Sequence, residues 1–303
     1  MFEHVLVAVD GSEEADAGFR FALRLAAASG GRVSLIEVLE PAYEVWASVP
    51  EPVPGLERLL RERNRAAEER LASLAAGAPA GVAVQTRVVE GKPAAALLDL
   101  IGELAPGLVV AGTHGVGLGR FLLGSVSQRL LEQAPCDLVL FRGQAIVEGP
   151  LNVVVGLDGS EHSLRALAVA GPLAAALSAC LVLVHVIDDR IPFGGIERHG
   201  ARETLREHGA KLLRAAREQV AAPVEAVLED LRDGPARPGL IAACEEHAPA
   251  IAVVGSRGLH GFHGLLVGSV ARDLVNYGSC PVLVVRARQP DVSRSGSARA
   301  GDE

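Results

Sequence analysis

The sequence predicts an α/β protein of two tandem, doubly wound, Rossmann-like domains, each a five-stranded parallel sheet flanked by helices. Three observations carry that prediction. Apolar runs alternate with segments of helical spacing along almost the whole chain. The runs are continuous rather than alternating with polar residues, which marks strands covered on both faces. The same order of runs, turns and helices is also written twice. Asp10 and Asp158, Gly112 and Gly255, and Cys136 and Cys280 stand 148, 143 and 144 residues apart. The two domains therefore span residues 1–143 and 150–287, with a boundary near Gln144 to Pro150. Residues 288–303, rich in Ser, Arg, Gly and Ala, read as a disordered tail.

The first strands are His4 to Val9 and Asn152 to Leu157, each stopping at an Asp-Gly-Ser turn. Ser12 and Ser160 stand where N-caps are favoured, and helices follow. Phe19, Ala22, Leu23, Leu25 and Ala26 carry the apolar spacing of the first; Leu164, Leu167, Ala168, Ala170 and Leu173 carry that of the second. Second strands read at Arg32 to Val38 and Cys180 to Ile187. Irregular proline-bearing stretches come next, at Glu40 to Pro54 (with the only Trp, Trp46) and at Asp188 to Ile196. Charged helices then run from about Leu56 to Leu74 and Arg202 to Val220, with solvated outer faces. Third strands are expected at Val82 to Val89 and Val224 to Leu228, and helices around Leu97–Leu104 and Leu240–Glu246. Fourth strands, Gly107 to Ala111 and Ile251 to Val254, break into glycine loops. Closing strands are Leu138 to Phe141 and Val282 to Val285.

Composition narrows the function. The 29 basic and 37 acidic residues give a net charge of −8, which argues against nucleic acid or an anionic membrane as partner. No apolar run reaches the length of a bilayer span, and Met-Phe-Glu-His at the start lacks a basic region followed by an apolar one. A cytoplasmic protein is expected. Cys136, Cys180, Cys244 and Cys280 form no Cys-x-x-Cys pair and read as reduced packing residues.

The chemistry lies in the turns. In a doubly wound sheet, ligands sit beyond the carboxyl ends of the strands, where the strand order reverses. Two such ends in each half carry suitable turns: Asp10-Gly11-Ser12 with the loop after Gly112, and Asp158-Gly159-Ser160 with the loop after Gly255. The second loop reads Gly255-x2-Gly258-x9-Gly268-Ser269; the first, Gly112-x2-Gly115-x8-Gly124-Ser125, is one residue shorter. A strand that breaks into glycines and re-enters a helix offers unpaired N–H groups to a phosphate. Neither loop contains the Walker lysine, and the first turns lack the dinucleotide fingerprint. Rapid phosphoryl transfer needs that positioned charge, so binding is expected rather than turnover. Arg257, with His114 at the matching place, could touch a phosphate through its permanent charge or stand as a solvated loop side chain.

Other constellations have simpler readings. Asp158, Ser160 and His162 contain the residue types of a hydrolytic triad, but the serines are better explained as helix caps. His260 and His263 lack an acid or cysteine in their loop to complete a metal site.

In this order, the motifs resemble those of the universal stress proteins. The resemblance covers both halves through Asp10-Gly11-Ser12, Asp158-Gly159-Ser160, the Gly255 to Ser269 loop, and Cys280-Pro281 through Arg286. It implies an adenine-nucleotide alpha-hydrolase-like fold and, in one branch of the family, bound ATP with Mg²⁺. By that resemblance Asp158 and Gly159 would lie near the adenosine and Val186 would line the adenine site. Gly255 and Gly258 would meet ribose and phosphates, and Gly268, Ser269 and Val270 would hold phosphate oxygens. The corresponding first-half positions are Asp10, Gly11, Val38, Gly112, Gly115, Gly124, Ser125 and Val126. The family also pairs single-domain members through the last strand, which implies a homodimer or pairing of Leu138–Phe141 with Val282–Val285 inside one chain. Two other classes compete: a nucleotide-hydrolysing enzyme, whose Ser-Gly-Gly-x-Asp-Ser loop is absent here, and an interaction protein with degenerate sites.

Overall fold

Val5, Val7 and Val9 of the first strand, β1 (His4–Val9), join one buried cluster, while Leu6 between them joins another. The chain therefore needs helices on both sides of its sheet, and the alternation of elements supplies them. In the first half these are α1 (Glu13–Ser29), β2 (Arg32–Leu39), α2 (Leu56–Ala76), β3 (Ala83–Glu90), α3 (Pro93–Leu104), β4 (Leu108–Gly112), α4 (Ser125–Gln133) and β5 (Asp137–Phe141). The second half repeats them as β6 (Asn152–Gly156), α5 (Glu161–Leu177), β7 (Cys180–Ile187), α6 (Arg198–Glu218), β8 (Val227–Asp233), α7 (Ala236–Glu246), β9 (Ala250–Gly255), α8 (Ser269–Tyr277) and β10 (Val282–Val285). This computed structural model describes residues 2–41, 55–113, 123–142, 151–188, 198–258 and 267–286. Trp46, His114, Gly115, His260, His263, the boundary segment and the expected tail lie outside the described residues.

The strands form one sheet in the order β3-β2-β1-β4-β5-β10-β9-β6-β7-β8. Pairing is parallel within each half; among the described residues only β5 and β10 run antiparallel, with Leu140 opposite Val282, Val139 opposite Leu283 and Leu138 opposite Val284. The expected pairing of closing strands thus occurs within one chain. In each half the order reverses at the first strand, between β1 and β4 and between β6 and β9, which opens a crevice at their carboxyl ends.

The seam is bonded on both faces. On one, α1 packs on α5, and Arg24 Nη2 donates to the Leu177 carbonyl at 3.1 Å. On the other, Arg286 Nη2 donates to the Leu130 and Leu131 carbonyls near the end of α4, and Arg142 Nη2 donates to the Val275 carbonyl of α8 at 3.1 Å. A cation at a helix C-terminus satisfies carbonyls the helix leaves open. Asp137, an acid where the second half has Pro281, is buried because its Oδ1 accepts the Arg286 main-chain N–H at 2.7 Å.

Local expectations hold at the caps: Ser12 Oγ accepts from Ala15 N and Ser160 Oγ from Ser163 N, both at 3.2 Å. Three readings need correction. The third strand of the second half is not Val224–Leu228 but Val227–Asp233, because it forms the sheet edge. An edge strand is half solvated, so Glu229, Asp230 and Arg232 are accommodated there and the apolar content is a poor guide. Helices α3 and α7 begin at Pro93 and Ala236, before their apolar stripes, since a first turn need not be buried. Leu164 and Ala168 of α5 face outward, while Ala166, Leu167, Ala170, Leu173 and Ala174 carry the buried stripe.

Candidate nucleotide site

A cavity of about 880 Å³ opens at the carboxyl ends of the second-half strands. Its floor begins at the β6 turn, Gly156, Leu157 and Asp158. Asp158 Oδ1 accepts from the main-chain N–H of Ser160 at 3.0 Å and from its hydroxyl at 2.6 Å. The carboxylate is therefore fixed by its own turn. Gly159 does not line the cavity; its φ of +81° lets the chain turn there, as Gly11 does with the same angle in the first half.

Strand β7 contributes Val184, His185, Val186 and Ile187, with Asp188 just past its end. His185 Nδ1 donates to the Leu157 carbonyl at 2.7 Å; a carbonyl only accepts, so that nitrogen carries the proton. A third wall comes from α6, through Leu205, His208, Gly209 and Leu212. Gly209 is packed so closely on His185 that an added Cβ would lie 2.8 Å from the ring.

The fourth wall is the glycine loop. Gly255, Arg257, Gly258, Gly268, Ser269 and Val270 line the same cavity. The loop is pinched shut where Gly268 N donates to the Ser256 carbonyl at 2.7 Å. That bond occupies the Gly268 N–H, so this amide is not among those offered to a phosphate. Gly268 N-caps α8 without any side-chain cap, which leaves the first-turn amides of Ser269, Val270 and Ala271 for a ligand. Across from it, a Cβ on Gly258 would lie 2.6 Å from Asp158 Oδ2. The cradle exists only because that residue has no side chain.

The structure thus gathers Asp158, Val186, Gly255, Arg257, Gly258, Gly268, Ser269 and Val270 around one volume. Sequence reasoning missed His185 and the whole α6 wall. The apolar spacing of Leu205, Gly209 and Leu212 along one helical face was the available signal, but nothing local says which strand ends that face covers.

The first half repeats the frame. Asp10 Oδ1 accepts from Ser12 N at 3.0 Å, and Gly124 N donates to the Thr113 carbonyl at 2.8 Å, closing its loop as Gly268 does. Gly112 ends β4, Val38 lies on β2 with β1 between the two strands, and Ser125 and Val126 open α4. The expected capping role of the serines holds in both halves: Ser12 Oγ accepts from Ala15 N, and Ser160 bonds Asp158 and Ser163 N. All four cysteines are free thiols. Among the described residues, no group of three or more His, Cys, Asp or Glu is arranged to hold a metal, and no helix is long and apolar enough to cross a membrane.

Comparison with known proteins matches the chain to a family. The model of the universal stress protein family matches residues 1–142 and again 151–286. A universal stress protein of Mycolicibacterium smegmatis is 35% identical over 293 residues, covering 94% of this chain and 97% of that one. One from Mycobacterium tuberculosis is 32% identical over 296 residues, covering 93% and 96%. Among solved structures, a universal stress protein of Archaeoglobus fulgidus superposes with a TM-score of 0.64 at 18% identity, covering 95% of this chain and all of that one. A Pseudomonas aeruginosa protein described as functionally unknown gives 0.63 at 16% identity, covering 94% and 93%. At such identities these two speak for the fold alone.

Proposed function

The chain belongs to the universal stress protein family, and on that footing we propose that it is an ATP-binding regulatory protein of the cytoplasm that hydrolyses ATP slowly or not at all. The observation that carries this reading is the convergence of the Asp158 turn, Val186 and the Gly255–Val270 cradle on one cavity. Val186 and the apolar residues around it suit the adenine, and the fixed Asp158 carboxylate suits ribose hydroxyls. The first-turn amides of α8, the Ser269 hydroxyl and Arg257 suit the phosphates. A bound ATP would supply a polyanion, and Mg²⁺ bound with it would offset that charge. The protein lacks a cluster of its own for that cation among the described residues.

The residues explain why binding rather than turnover is expected. No lysine reaches the cradle from the loop sequence, and Ser160, the nearest hydroxyl to a carboxylate, is spent as a cap. What ATP then provides is an additional set of bonds between β6, β7, β9 and α8, stabilising the state that holds it.

Isothermal titration calorimetry of the purified chain with Mg·ATP tests the reading. Measurable affinity, lost in Gly268→Val, is the expected result. A Cβ at Gly268 meets nothing closer than 3.4 Å, so its first added atom is accommodated and the bulk goes to the cavity wall. No copurifying adenine nucleotide and no affinity for ATP would overturn it.

A further inference from the structure

The two halves differ at the place where a base would sit. Helices α2 and α6 are both 21 residues long, and their fifteenth residues are Arg70 and Leu212. These two side chains occupy the same location, under the glycine of the first turn. A Cβ on Gly11 would meet Arg70 at 3.9 Å, and one on Gly159 would meet Leu212 at 2.9 Å. One position before Val38 and Val186 stand Glu37 and His185.

In the second half, Leu212 and His185 both line the cavity. In the first half, Arg70 and Glu37 bond each other. Arg70 Nε and Nη2 donate to Glu37 Oε2 and Oε1 at 3.1 and 2.7 Å, a two-pronged pair. The Glu37 side chain is only 5% exposed. The carboxylates of Asp10 and Asp16 also hold the Arg70 guanidinium in its charged form, after Glu37 itself. Next along, Glu14 stands where the second half has His162, and Thr113 Oγ1 donates to it at 3.4 Å. The first half therefore has two carboxylates, Glu14 and Glu37, at positions where the second has imidazoles.

We infer that Arg70, paired with Glu37, fills the first-half site from within, so that each chain binds one adenine nucleotide and not two. A base entering there must displace the guanidinium and strand a buried carboxylate. In the second half, Leu212 and the backbone-anchored His185 line the corresponding place, where the first half holds the Arg70–Glu37 pair. Arg70 and Leu212 are thus the specificity-determining residues of the two halves. This inference rests on ATP as the ligand of the second half, and the test separates the two.

Mg·ATP calorimetry is run on the full chain and on its Arg70→Leu/Glu37→His variant, with circular dichroism and melting to confirm folding. The expected stoichiometry is one site for the parent and one more for the variant. An equal number in both, or two sites in the parent, overturns the inference. A parent that binds none while the variant binds one overturns the second-half reading and keeps this one. If the double variant does not fold, Gly268→Val in the native background decides: no remaining site supports the filled pocket, and one remaining site overturns it.

Discussion

The main-chain N–H of Arg286 donates to Asp137 Oδ1 at 2.7 Å, joining residues 149 positions apart in sequence. Asp137 opens β5, and Arg286 directly follows β10, so the bond fastens the one antiparallel seam of the sheet. The Arg286 side chain then continues to the Leu130 and Leu131 carbonyls. Its guanidinium is buried, which lowers its pKa from the ordinary value while Cys136 and Asp137 oppose that shift. Asp137 is therefore a counter-charge as well as an acceptor.

Replacing Asp137 by Ala should cost about 3 kcal/mol, the scale for removing one partner of a buried charged pair. Asp137→Asn, which keeps an acceptor, should cost about half of that. Urea denaturation measures both. Because the two halves share continuous cores on both faces of the sheet, a single cooperative transition is expected. A cost below about 0.5 kcal/mol would show that the seam does not depend on this contact.

Gly258→Val should weaken Mg·ATP binding at least tenfold, about 1.4 kcal/mol or more. The added Cβ would fall 2.6 Å from Asp158 Oδ2, so the carboxylate or the loop must move. Circular dichroism should remain that of the parent, since the change lies in a surface turn. Calorimetry with unaltered affinity would remove Asp158 from the site.

Cys136 should resist alkylation. Burial, with Asp137 beside it, raises its thiol to about 12. At pH 8 that leaves roughly a thousandfold less thiolate than an ordinary cysteine has. Iodoacetamide labelling followed by peptide mass spectrometry should find Cys136 unmodified in the native protein and fully modified in urea. Labelling at an equal rate in both conditions would show that this half-buried thiol is not held protonated by its surroundings.

His4 should make the protein acid-sensitive. Its Nδ1 accepts from Arg32 Nη2 at 3.2 Å, so Nε2 donates to Ser34 Oγ at 2.8 Å and the ring is neutral. Burial, then Arg32, lowers its pKa below 6.5. The unfolded chain consequently binds the proton more readily than the folded one. Stability contributed by this residue is complete above about pH 6.5 and is lost as pH falls toward the lowered folded value. Melting temperatures of the parent should decline across that window, and His4→Gln should flatten the slope. An unchanged slope would assign the acid sensitivity to other groups.

Much of this was legible in the residues themselves. Continuous apolar runs ending at Asp158 and Gly255 revealed buried parallel strands and their loops. Ser12 and Ser160 marked helix starts, and the duplicated order marked two halves. Such signals are local, because strand burial, capping and turning depend on neighbours within a few residues. The edge strand β8 escaped for the same reason: half-solvated residues such as Asp230 and Arg232 leave no apolar run to read.

What the sequence determined by itself was therefore the inventory of strands, caps and cradles, together with the partner turns that belong with each cradle. Only the tertiary structure decided that β5 and β10 join the halves into one sheet, that α6 walls the cavity beside His185, and that Arg70 lies where Leu212 does. Each of those relations joins residues from different elements, and their proximity is set by packing two helical layers on a sheet. No periodicity within a single segment encodes it.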